Sequence, residues 1–244
     1  MLRSLAMAAL APVLVAQGLA VRRRALRLPE AAGPRAGSVG RGPRFGLLVL
    51  GDSAAAGVGA ATQDEALVGQ LRDRIAQQHR VDWRLLATIG HTAADAVRAL
   101  AALDDFRIDG AVTSVGVNDV VARTPVPRFR RTVGDLVEAL RRRGARGIVL
   151  SGVPPMGRFP LLPQPLRRVL GDRADELDAV LAEVARACGA THLPMRFAGG
   201  LGPEHLAADG FHPGPAIYRA WAAAAHDALL GTAAAPGRSE GGPR

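Results

Sequence analysis

The sequence predicts an α/β fold, a three-layer α/β/α sandwich around a five-stranded parallel sheet. Two observations predict it. Strand-like and helix-like segments alternate from residue 45 to residue 230, and the first apolar run, Phe45-Gly46-Leu47-Leu48-Val49-Leu50, ends directly on Gly51-Asp52-Ser53. Such alternation builds βαβ units, whose crossover helices cover both faces of a parallel sheet. Open α/β sheets keep their chemistry beyond the carboxyl ends of their strands. Ser53 therefore stands where a side chain can reach a ligand.

The elements are justified in chain order. Residues 1–28 form an apolar segment in which Leu5 to Val21 is a run of about 17 mostly apolar residues, at the short limit for a membrane span. Pro12 and Gln17 interrupt it, and Arg22-Arg23-Arg24 follows at once. A signal peptide carries its charge before the apolar run, so this order disfavours one. The segment reads as a candidate membrane anchor, and the arginines behind it would hold the C-terminal domain in the cytoplasm. An interfacial helix or an extra packed helix are the alternatives, and with them a soluble cytoplasmic or an exported protein. Residues 29–44, rich in Pro and Gly, read as a flexible tether.

The folded domain then covers 45–231, with strands expected at 45–50, 84–89, 109–115, 146–152 and 190–194. Helices are expected at 64–79, 93–103, 127–143, 166–188 and 214–230. In the third of these, Phe129, Val133, Leu136 and Leu140 share a face, and Gly144 is placed as the C′ residue. By analogy with flavodoxin-like folds, a 2-1-3-4-5 strand order would bring the ends of the first three strands together. Residues 232–244 read as a disordered tail.

Composition removes several function classes. All 31 basic side chains are arginine, so a Walker A loop and a lysine Schiff base are both excluded. The net charge of +9 belongs mainly to residues 1–44, where eight arginines face one acid, Glu30. The other 200 residues carry 23 arginines against 21 acids, which does not support a nucleic-acid-binding face. Cys188 is the single cysteine, so an intrachain disulfide is impossible.

Four short islands carry chemistry: Gly51-Asp52-Ser53, Gly90, Gly116-Val117-Asn118-Asp119 and Asp209-Gly210-Phe211-His212. Together they supply a nucleophile, a base with its orienting acid, and oxyanion donors, the parts of an acyl-transfer site. Each residue has a plainer reading alone: Ser53 as a turn or cap, Gly90 as a turn, Asn118 as a cap, Asp209 and His212 as surface loop residues. A metal site on His205, Asp209 and His212 is a further reading, but it leaves Ser53 and Asn118 without a role.

With these islands the chain resembles the SGNH/GDSL hydrolases, serine esterases and lipases, over nearly all of residues 45–230. The resemblance implies Ser53, Asp209 and His212 as catalytic residues, and Ser53, Gly90 and Asn118 as the oxyanion hole. Asp52 and Asp119 would support the loops, and no cofactor or metal is implied. The chain departs from the family pattern in Ala54-Ala55-Ala56-Gly57 after the serine and in Thr88-Ile89-Gly90-His91-Thr92. The apolar stretch Val153 to Pro163 offers Met156, Phe159, Leu161 and Leu162 as an acyl-binding wall or lid, with a packed crossover as the alternative. The expected substrate is a small-molecule or lipid ester, short acyl esters or lysophospholipids, with no nucleic-acid partner. A glycan O-deacetylase and a non-catalytic binding module are the alternatives.

Overall fold

The computed structural model describes residues 2–195 and 202–233. Six strands form one sheet: β1 (Ala36–Val39), β2 (Arg44–Gly51), β3 (Arg80–Ala87), β4 (Gly110–Ser114), β5 (Gly147–Ser151) and β6 (Thr191–Leu193), in the order β1-β3-β2-β4-β5-β6. Beyond β1 every pairing is parallel, and the five strands from β3 to β6 stand in the flavodoxin-like order. Strand β1 pairs antiparallel with β3, so the sheet is mixed and has six strands rather than the expected five.

This extra strand lies inside the segment read as a flexible tether. Backbone bonds hold that segment in place: Ala31 N–H donates to Ala56 O, Ala32 N–H to Ala61 O, and Gln63 N–H to Ala32 O. The buried amide of Gln63 also donates to the carbonyls of Ala31 and Ala56. Proline and glycine here serve tight turns around an edge strand.

The helices are α1 (Leu2–Arg24), α2 (Leu67–Ile75), α3 (Ala93–Ala101), α4 (Val117–Val121), α5 (Val126–Arg142), α6 (Leu166–Cys188) and α7 (Pro215–Ala233). The alternate residues of β2 divide the core. Leu48 and Leu50 join α3, α5 and α6 on one face, while Leu47 and Val49 join α2 and α7 on the other. Such two-sided burial explains why β2 is a continuous apolar run. In α5 the expected face is buried, with Val137 added, and Gly144 follows at a φ of 95°. The last helix begins at Pro215, one residue after the expected start, and runs to Ala233, while the rest of the expected tail lies outside the described residues.

Helix α1 gives the anchor reading no support. Among the described residues no helix is long and apolar enough to cross a membrane. Instead α1 docks at the start of α6. Gln17 donates its amide to Gln164 O (2.6 Å), and its Oε1 accepts from Leu166 N–H (3.1 Å), the first residue of α6. Leu14, one turn earlier, is buried in the core. The polar residue that interrupts the apolar run thus satisfies an otherwise unpartnered donor at a helix start.

Candidate active site

Gly51 closes β2 where a side chain could not fit, since a Cβ would lie 2.0 Å from Ser114 O at the end of β4. The chain turns there, with Asp52 N–H donating to Ser114 O at 3.0 Å. Ser114 Oγ and Ala54 N–H in turn donate to Asp52 Oδ1 at 2.9 and 3.1 Å. Beyond Ser53 the loop is braced from α7. The buried hydroxyl of Tyr218 lies 3.0 Å from Ala54 O and 2.7 Å from Val58 O and donates between them.

The Asp209–His212 loop is folded by its own aspartate. Asp209 Oδ1 accepts from the backbone N–H groups of Phe211 and His212, both at 3.0 Å, and Oδ2 lies 2.6 Å from His212 Nδ1. His212 Nε2 lies 2.9 Å from Ser53 Oγ. An ionised carboxylate only accepts, so Nδ1 carries the proton and Nε2 is left to accept from the serine hydroxyl. The two loops touch backbone to backbone. Gly59, at a φ of 99°, sits so close to Pro213 that a Cβ would meet its carbonyl oxygen at 2.2 Å.

The carboxylates differ in setting. Burial pushes Asp209 up, but the His212 ring and two backbone N–H groups outweigh it and hold the carboxyl below its usual range. Asp52 is pushed up to about 6 by burial, against the lowering pull of Ser114, the Ala54 and Ala55 amides and His212. Burial also raises Asp119, which accepts from Ala93 N–H and Thr124 Oγ, both at 2.9 Å.

The raised Asp52 has a stability consequence. Between pH 4 and 6 the folded chain keeps a proton that the unfolded chain releases, so this group lowers stability as pH rises through that window. Asp209 acts with the opposite sign, adding stability at neutral pH that is lost in acid. Asp52→Asn cannot ionise. Its stability relative to the parent should therefore rise by up to about 3 kcal/mol between pH 4 and pH 7, read from denaturant midpoints. A pH-independent difference would contradict this.

Gly90 stands on the loop after β3 and Asn118 in the first turn of α4, just after β4, and these two strands flank β2. Gly90 is exposed at a φ of 88°, and Asn118 donates one amide N–H to His91 O at 2.9 Å, drawing these loops together. Two apolar spaces meet at Phe211 and His212. A small one of about 50 Å³ touches Ser53, Phe159, Ile217 and Trp221. An open groove of about 700 Å³ is lined by Met156, Leu161 and Leu162. The residues expected to form an acyl wall are thus divided, with the Phe159 ring edge-on to that of Phe211 at a centroid distance of 4.9 Å. Among the described residues no three His, Cys, Asp or Glu side chains are grouped as a metal site.

Ser114, Tyr218, Gly59 and the His91 carbonyl were not singled out from the sequence. Their parts depend on contacts far apart in the chain. Only Tyr218 and Trp221, three residues apart on one face of α7, left a periodic trace.

Comparison with known proteins agrees with this architecture. A GDSL-like esterase of Mycobacterium tuberculosis is 28% identical over 185 residues, covering 70% of this chain. The match covers 57% of that relative, less than two thirds of its length. The solved structure of TesA superposes with a TM-score of 0.63 at 22% identity, covering 77% of this chain and 99% of TesA. A lipase/acylhydrolase from Enterococcus faecalis gives 0.61 at 26% identity, covering 77% and 96%. The model of the GDSL-like lipase/acylhydrolase family matches residues 49–220, and the chain belongs to that family.

Proposed function

We propose that this chain is a serine hydrolase that cleaves carboxylic esters through an acyl-enzyme intermediate. The observation that carries the reading is the unbroken chain of contacts from Ser53 Oγ through His212 to Asp209, 2.9 and 2.6 Å long. His212 Nε2 takes the hydroxyl proton as Oγ attacks the acyl carbonyl, and Asp209 stabilises the imidazolium. The carbonyl oxygen becomes an oxyanion facing the N–H groups of Ser53 and Gly90 and the second amide N–H of Asn118. Each well-aimed donor contributes roughly 3 kcal/mol in the transition state. The tetrahedral species collapses, His212 passes its proton to the leaving alcohol oxygen, and the acyl group stays on Ser53. Water, deprotonated by His212, then releases the acid by the same steps in reverse.

Apolar space beside the reacting groups favours an acyl substrate over a sugar. Side-by-side rates on nitrophenyl acetate, nitrophenyl butanoate, a lysophospholipid and an acetylated sugar test this. Turnover of the acyl esters should exceed that of the sugar by tenfold or more. Faster release of acetate from the sugar would instead identify an O-deacetylase, and no turnover of any of them would contradict the hydrolase reading.

A further inference from the structure

The open groove of about 700 Å³ has two walls of different origin. One comes from the folded domain, with Met156, Leu161, Leu162 and Phe211 running up to His212. The other is the N-terminal helix, which contributes Ala11, Leu14, Val15, Gly18 and Val21, with Arg22 at its rim. These five apolar positions recur at helical spacing, so one face of α1 turns toward the groove along about three turns. The opening falls within the size range of ligand sites, and its surface is overwhelmingly apolar. Val15, Leu26 and Val121 stand at 62%, 55% and 59% exposure on its lining, apolar area that the fold leaves in water.

We propose that α1 completes the binding site for a long acyl chain, which lies between α1 and the Met156–Leu162 segment with its carbonyl at Ser53. This rests on the hydrolase reading above and assigns its substrate class as long-chain acyl esters. Continuity favours this occupant, because the groove reaches Asp209, Phe211 and His212 themselves. Phe211 and His212, which line both this groove and the small space beside Ser53, join the two. Docking of α1 through Gln17 and the buried Leu14 holds that second wall in position. Each methylene fully buried there should raise kcat/KM by roughly fourfold, from about 0.8 kcal/mol of transfer free energy.

Gly18 provides the test. A Cβ at this position meets nothing within 4 Å, so a large side chain fits the helix and protrudes into the groove. Gly18→Phe should lower the ratio of kcat/KM for nitrophenyl dodecanoate to that for nitrophenyl butanoate at least tenfold. Gly134→Phe, at an equally open position on α5, should keep the parental ratio. An unchanged ratio in Gly18→Phe, or a parent that does not favour the longer ester, would overturn the proposal. Calorimetric titration with dodecanoate below its micelle concentration reads the groove without turnover. Binding that Gly18→Phe weakens, in a protein that cleaves no ester, would uphold the groove and overturn the hydrolase reading alone. Absence of binding in the parent would overturn the groove.

Discussion

Replacing Ser53 with alanine is expected to lower kcat on nitrophenyl esters by a factor on the order of 10⁵ to 10⁶, the scale seen when a triad nucleophile is lost. No neighbour can substitute. Ser114 Oγ is held on Asp52, and Ser151 Oγ accepts from the Trp221 indole at 3.0 Å. The fold should be untouched, because Asp52, Ser114 and Tyr218 position the loop without help from the Ser53 hydroxyl. Near-ultraviolet circular dichroism should therefore match the parent while turnover disappears. Activity within tenfold of the parent, in protein free of contaminating esterase, would contradict the role of Ser53.

Asp209→Asn is the second large effect, and its cause is a proton position rather than a lost contact. The amide oxygen can still accept from the N–H groups of Phe211 and His212, so the loop keeps its shape. The amide nitrogen, however, would then face Nδ1 as a donor in place of Oδ2. The ring must answer with an unprotonated Nδ1, and its proton moves to Nε2, where it points at Ser53 Oγ. A base that already carries its proton cannot take another, and a loss of about ten-thousandfold in kcat is expected at neutral pH. Recovery of rate as pH is raised, where hydroxide takes over the base role, would mark the tautomer as the cause. Near-parental kcat at neutral pH would show that Asp209 does not orient the base.

The sequence was most legible where the cause of structure is local. Strand β2 announced itself because both of its faces are covered, and the Asp209–His212 loop because three residues contain its hydrogen bonds. In β3 the buried positions Val81, Trp83 and Leu85 alternate with half-exposed ones. The sequence reading placed its start at 84, following the apolar run and missing the alternation before it. Strand β1 was invisible, since Ala-Gly-Ser-Val between turns has no strand signature. Its place depends on Trp83, whose indole would lie 3.1 Å from a Cβ at Gly37. The docking of α1 was hidden for a related reason. Gln17 reads as a flaw in an apolar run until the start of α6, nearly 150 residues later, is brought beside it. The grouping of Ser53 with His212 was legible as a resemblance, whereas the Gly59–Pro213 contact that sets their separation was not.

The central claim is that Ser53 is an activated nucleophile beside His212. Incubation with an alkyl nitrophenyl phosphonate, followed by peptide mass spectrometry, tests it most directly. The Oγ attacks phosphorus, nitrophenolate leaves, and a stable phosphonyl ester remains. The account predicts one adduct per chain, on Ser53, formed far more slowly in Asp209→Asn and absent from Ser53→Ala. No adduct, or one that persists on another residue when Ser53 is replaced, would contradict it.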